Sequence, residues 1–258
     1  MSRLRAKCPD CLTYTAVALG PDYECHACGR EFHAGLVRVP RAWGKGGDAM
    51  AAAAQLPVPY PEALVVEEAS LGEQSLALAS GLPQRPLVLG GCCCAHVGTV
   101  EGLASRYDRL GLVWIDAHGD LNTPETSPSG NQWGMPLRMI LRSGAVLEEE
   151  VALVGARNLD PPEQEFLAGS AIHTGDWAVD RAMSGADAVY VALDGDAIDA
   201  DDVAAFMPEP GGIPLAEAVR LLWKIRQLAD VAGAGFTGFV DESKNVEPLT
   251  KLAAALGL

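Results

Sequence analysis

Two short segments of this 258-residue chain carry metal-ligating side chains at alternating positions: Asp116, His118 and Asp120 in one, Asp194 and Asp196 in the other. Each follows a hydrophobic run, residues 111–115 and 188–193. In extended chain, side chains two apart point the same way, so each set can converge at the end of a strand. Four carboxylates and an imidazole delivered from two strand ends can hold two divalent cations, the equipment of a hydrolase that attacks with a metal-bound hydroxide. A second constellation lies near the N-terminus, where Cys8-x-x-Cys11 and Cys25-x-x-Cys28 are thirteen residues apart. Two such knuckles present four thiolates to a tetrahedral zinc, as in a zinc ribbon. So short a segment has little core of its own, and metal ligation would supply much of its stability.

The remaining three of the seven cysteines are consecutive, Cys92, Cys93 and Cys94. An odd count without an export signal speaks against a disulfide framework and for metal binding. No apolar run reaches the length of a membrane helix, and the first residues lack the apolar core of a signal peptide. A cytoplasmic protein with no membrane partner is expected. The net charge of −15 disfavours binding to a phosphate backbone, so a small-molecule substrate is the expected partner and nucleic acid is not.

The elements that must position these residues alternate along the chain. Helical stretches near residues 63–79, 97–107, 135–141, 162–167, 177–183, 215–228 and 247–256 are interleaved with hydrophobic strands near 86–90, 112–115, 151–155, 172, 189–193 and 234–240. Buried strands separated by helices specify an α/β fold, a parallel sheet covered by helices on both faces. Ligands in such sheets bind beyond the carboxyl ends of the strands, where every candidate ligand above lies. Residues 1–38 are read as a small zinc-ribbon domain, 39–62 as a linker or entry segment, and 63–258 as the α/β domain.

Several motifs fall in a familiar order: Leu89-Gly90-Gly91, the Asp116-x-His118-x-Asp120-x-Asn122 run, Ser129-Gly130-Asn131-x-x-Gly134-Met135-Pro136, Gly155-x-Arg157-x-x-Asp160-x-x-Glu163, Asp194-x-Asp196 and Pro210-Gly211-Gly212. Together they resemble the arginase (ureohydrolase) family, which includes arginase, agmatinase and formiminoglutamase. The resemblance covers residues 63–258 and leaves the cysteine-rich segment outside it. It implies the three-layer arginase-like fold, two manganese ions bridged by a hydroxide, and a trimer or hexamer. Position by position, Asp116 and Asp194 would bridge the ions, His118 and Asp196 would complete one site, and Asp120 would belong to the other. Asn122, Ser129, Asn131 and Asp160 fall where the family contacts a substrate's amino-acid portion. Asp120, His118 and Trp133 are the catalytic candidates.

Three departures from the family pattern bear on the substrate. Cys93 stands at a metal-binding histidine; a thiolate favours zinc, iron or cobalt over manganese. His96, three residues on, is an alternative ligand. Trp133 replaces the histidine that would shuttle a proton to the leaving amine, although an indole could stack on a planar cation. The glutamate expected to bind a guanidinium is Val240 in the most direct register, with Asp241 and Glu242 following. The expected activity is hydrolysis of a C–N bond, other than a peptide bond, in a small guanidino or amidine-like compound that is not arginine. The alternative is a non-catalytic arginase-like protein that uses its ribbon in a binding or regulatory role.

Overall fold

The segment Leu36-Val-Arg-Val39 already belongs to the main sheet, and its strand runs through residue 38, where the ribbon was expected to end. The computed structural model describes residues 5–258 except Lys7, Pro9, Leu12, Tyr14, Gly20, Pro21 and Ala34. A small antiparallel sheet is formed by β1 (Arg5–Ala6), β2 (Ala16–Leu19), β3 (Asp22–Cys25) and β4 (Glu31–His33). Its core is Cys8, Ala16, Tyr23, Cys25 and Phe32, with the Tyr23 and Phe32 rings stacked 5.6 Å apart. That is too little apolar surface to stabilise a fold alone.

The main sheet contains β5 (Leu36–Val39), β6 (Glu62–Val65), β7 (Leu87–Gly90), β8 (Leu110–Ile115), β9 (Val151–Val154), β10 (His173–Thr174), β11 (Ala188–Asp194) and β12 (Val231–Thr237). Their order across the sheet is β10-β9-β8-β11-β12-β7-β5-β6, and every pairing is parallel. The connecting helices are α1 (Asp48–Ala53), α2 (Leu71–Gly81), α3 (Ala95–Ala104), α4 (Pro136–Ser143), α5 (Pro161–Gly169), α6 (Ala178–Ala182), α7 (Leu215–Leu228) and α8 (Val246–Ala255). Alternate residues of the central strands feed two separate cores. Val113, Ile115, Val189, Val191 and Leu193 pack with α6, α7 and α8, whereas Leu112, Trp114, Tyr190 and Ala192 pack with α2, α3 and α4. The expected parallel sheet with both faces covered is what the structure shows.

One expected helix is a strand followed by a shorter helix. Residues 63–79 do not form a single helix; the β-branched end of Glu62-Ala-Leu-Val65 pairs with β5 at the sheet edge, and α2 starts only at Leu71. Ser70 caps α2, its Oγ accepting the Glu73 N–H at 3.3 Å. The Ser70-x-x-Glu73 spacing is a helix-start signature. Among the described residues, no helix is long and apolar enough to cross a membrane.

Candidate metal centre

Four neighbouring strands, β8, β11, β12 and β7, end at one place. Asp116 follows β8, Asp194 and Thr237 are the last residues of β11 and β12, and Cys93 lies in the turn between β7 and α3. A cavity of about 270 Å³ opens there. It is lined by Cys93, Asp116, His118, Asp120, Asp194 and Asp196, together with Asn122, Ser129, Trp133 and Asp160. Among the described residues, its lining includes no lysine or arginine.

Hydrogen bonds fix the carboxylates. Asp116 accepts the His118 N–H at 2.8 Å and the Trp114 indole N–H at 3.2 Å. Asp196 accepts the Ala117 N–H at 3.1 Å, which ties the two acidic segments together. Asp194 accepts the Asp196 N–H at 3.0 Å. Arg157 donates to the carbonyls of Asp196 and Glu209 at 2.7 and 3.0 Å, pinning the loop after β11. Asp120 reaches the cluster through a left-handed backbone conformation, φ 52°. Its Oδ2 is buried and has no hydrogen-bond partner. Such an orphan in a native interior calls for a partner of another kind.

The electrostatics point the same way. Burial, followed by neighbouring carboxylates, pushes Asp120 far above the usual carboxylate range. Burial is the largest cause for Asp116 also, and it raises Asp194 to about 7 and Asp196 to about 6. His118 Nδ1 lies 2.9 Å from Asp196 and 3.5 Å from Asp116. Burial works against its charge, but the hydrogen bonds to Asp116 and Asp196 outweigh it and raise the imidazole to about 12. Buried like charges at this density are costly unless cations sit among them. Two donor sets are close enough to hold an ion each: Cys93, Asp116 and Asp120, and Asp116, His118 and Asp196, each with its ligand atoms within 4.8 Å of one another. The residues therefore fit a pair of divalent cations sharing Asp116.

Not every expected residue meets at this place. Asn131 turns outward, its Oδ1 accepting the Lys45 N–H at 3.0 Å, and it lines a separate surface recess. Asn122 is already satisfied within the protein, donating to Asp160 at 2.9 Å and accepting from Thr126 at 3.0 Å. Asp241 and Glu242 are exposed and do not line the cavity. His96 is fully buried beneath the site, with Nδ1 2.9 Å from the Tyr190 hydroxyl and Nε2 3.3 Å from Thr237 Oγ1. Burial lowers it to about 3, so it is neutral.

Three further residues support the cluster. Thr237 Oγ1 lies 3.1 Å from Cys93 Sγ and 3.3 Å from Asp194. Glu163 is buried and accepts the N–H groups of Leu121 and Asp160, both at 2.9 Å, joining the Asp120 loop to the start of α5. Glu209 accepts from Asn158 at 2.9 Å and faces His118 Nε2 at 3.5 Å. Only Glu163 carried a local signal, the Asp160-x-x-Glu163 helix start.

Trp133 stands at the mouth, its ring 5.9 Å from that of Phe206 at 77°, beside Met50 and Met207. The cysteine quartet lies at the other end of the sheet. Cys8, Cys11, Cys25 and Cys28 bring their sulfurs within 4.8 Å of one another. Arg30 joins this segment to the main body, donating to the carbonyls of Gly257 and Leu258 at 3.1 and 3.3 Å. A cleft beside Arg30 is lined by Gly35 and Leu87, at the amino ends of β5 and β7, so the quartet is remote from the carboxylate cavity.

Comparison with known proteins identifies the family and the fold. Residues 49–243 match the model of the Arginase family. Arginase of Bacillus subtilis (strain 168) is 38% identical over 160 residues, which are 52% of this chain and 54% of that protein; the chain thus spans about half the length of this curated relative in sequence. The crystal structure of arginase from Bacillus subtilis superposes with a TM-score of 0.72 at 25% identity, covering 87% of this chain and 98% of that one. Proclavaminate amidino hydrolase from Streptomyces clavuligerus shares the fold, with a TM-score of 0.69 at 17% identity over 86% of this chain and 89% of that one.

Proposed function

The chain belongs to the arginase family, and on that premise we propose that it hydrolyses a C–N bond in a small guanidino or amidine-like compound other than arginine. The observation that carries this reading is the buried cluster of Asp116, Asp120, Asp194 and Asp196 around one cavity, with Asp120 Oδ2 left without a partner. Two divalent cations, manganese in the family pattern, would be held by Asp116, His118, Asp120, Asp194, Asp196 and Cys93; when bound they acidify water and stabilise developing negative charge.

The side chains themselves favour a compact cationic substrate. A cavity bounded by carboxylates, with no lysine or arginine among its described lining residues, concentrates cations from solution. Trp133 and Phe206 offer an aromatic wall on which a planar cation can stack,. Asp160 and Ser129 face the same space and can accept substrate N–H groups. Trp133 cannot exchange a proton, so another donor must protonate the departing amine. The segment after β12 contributes Gly238 to the cavity but no carboxylate, which removes the usual reason for an arginine-type guanidinium to be held there. The cysteine quartet is assigned a structural zinc, and its distance from the cavity gives it no part in substrate contact.

The test is to purify the full chain and count metals by element. Urea and ammonia release are then measured from a panel of guanidino and amidine compounds with manganese, zinc, iron or cobalt added. Three ions per chain and turnover of a compound other than arginine are expected. A single ribbon zinc with no turnover under any metal would leave only a non-catalytic binding role. Light scattering on the same sample measures the homo-oligomer that the family pattern implies.

A further inference from the structure

The cavity floor presents two donor sets that share one carboxylate but differ in chemical character. One set combines the Cys93 sulfur with oxygens of Asp116 and Asp120; the other combines a His118 nitrogen with oxygens of Asp116 and Asp196. Cys93 is 4% exposed and borders the cavity. Its Sγ lies 3.0 Å from Asp194 Oδ2, 3.1 Å from Thr237 Oγ1 and 3.7 Å from Asp116 Oδ2. Thr237 in turn is held by Asp194 and His96, so the sulfur has a fixed direction. Asp120, whose buried Oδ2 has no hydrogen-bond partner, belongs to the same set. Cys92 and Cys94 pack instead into a small apolar cluster with Met50, which leaves one sulfur of the triplet in this donor set.

Resting on the two-metal reading of this cavity, we propose that the two donor sets select different ions. The Cys93 set takes a thiophilic divalent cation such as zinc, ferrous iron or cobalt, while the His118 set accepts manganese. Affinity for a given site rises from manganese through iron to cobalt and beyond, and soft thiolate ligands favour zinc and iron over harder cations. A sulfur donor therefore separates zinc from manganese further than nitrogen and oxygen donors do. The centre is a heterometallic one, asymmetric because a single residue is a thiol.

The experiment equilibrates the full chain with manganese in large excess and free zinc buffered at levels stepped upward from the one that fills the cysteine quartet. Metals are then counted by element in the wild type, Cys93→Ser and Cys93→His. Over a range of these levels the wild type should retain two zinc and one manganese, and Cys93→His one zinc and two manganese. In Cys93→Ser, the zinc-over-manganese preference of that set should fall by more than the ~10–100-fold that losing a mere supporting partner costs. Cobalt loading adds a spectroscopic readout, because the near-ultraviolet sulfur-to-cobalt band should be weaker in Cys93→Ser than in wild type while the contribution of the quartet cancels. Retention of the quartet zinc and an unchanged circular dichroism spectrum show that each variant is folded. Two cavity ions whose identity does not depend on residue 93 would overturn this proposal alone. No cavity ion in any variant would overturn the two-metal reading with it.

Discussion

Gly238→Ala should disable the cavity by moving one carboxylate. Gly238 has φ +69°, and a Cβ there would overlap the whole carboxylate of Asp194. The backbone cannot withdraw easily, because Gly238 N–H donates to Gly91 O at 3.2 Å and its carbonyl accepts the Phe206 N–H at 2.7 Å. Asp194 must therefore swing away, giving up the Asp196 N–H and the Cys93 thiol, each at 3.0 Å. The left-handed conformation costs an alanine about 1 kcal/mol, and forcing a methyl into a packed interior costs about 1–3 kcal/mol. A total of about 2–4 kcal/mol corresponds to a fall in Tm of roughly 4–16 °C for a chain of this size.

Gly144→Ala supplies the control, since Gly144 has φ +74° but open space around its Cβ position. It should show the conformational cost alone. Calorimetry with and without metal then separates the effects. A ligand at 100 times its Kd stabilises the wild type by about 2.7 kcal/mol, a gain that Gly144→Ala should keep and Gly238→Ala should lose. If Gly238→Ala keeps both its cavity ions and its metal-dependent rise in Tm, the placement of Asp194 in the metal centre is wrong.

Trp133→Ala should weaken binding of planar cations by roughly 2–30-fold, the equivalent of a cation–π contact; an unchanged KM across the substrate panel would remove Trp133 from substrate contact. Cys8→Ser combined with Cys11→Ser should release one zinc and expose the cysteine-rich segment before β5 to protease while the cavity keeps its two ions; loss of the cavity ions as well would contradict the separation of the two sites. His96 is lowered to about 3 by burial, so the unfolded chain takes up a proton below about pH 6.5 that the folded chain refuses. Its contribution to stability is complete above that pH and is lost as the pH falls, by about 2 kcal/mol between pH 6.5 and 5. Urea unfolding of metal-loaded wild type and His96→Gln at the two pH values should show the wild type losing that much more.

How far the sequence could be read depended on whether a signal was local. The central strands were legible because alternate residues of β8 and β11 are apolar on both faces, and the Asp116-x-His118-x-Asp120 run was legible because its spacing is itself the chemistry. The strands β5 and β6 were not. The apolar run of β5 is broken by Arg38, and β6 is mostly exposed and lies shortly before a helix start. The choice between Cys93 and His96 shows what a one-dimensional pattern leaves open. Both follow β7 within six residues, and the imidazole is the commoner metal ligand. The decision is made by β12, which lies between β7 and β11 and ends in Thr237. α3 packs on the sheet face to which Tyr190 points, so the first turn of α3 aims His96 at Tyr190 and Thr237 beneath the sheet's end. Gly235 makes room for it, since a Cβ at that position would overlap the Tyr190 hydroxyl and crowd the His96 ring. With the imidazole drawn under the sheet, the turn before α3 leaves the Cys93 sulfur as the group facing Asp116 and Asp194. That outcome depends on three strands meeting in an order that no stretch of neighbouring residues encodes.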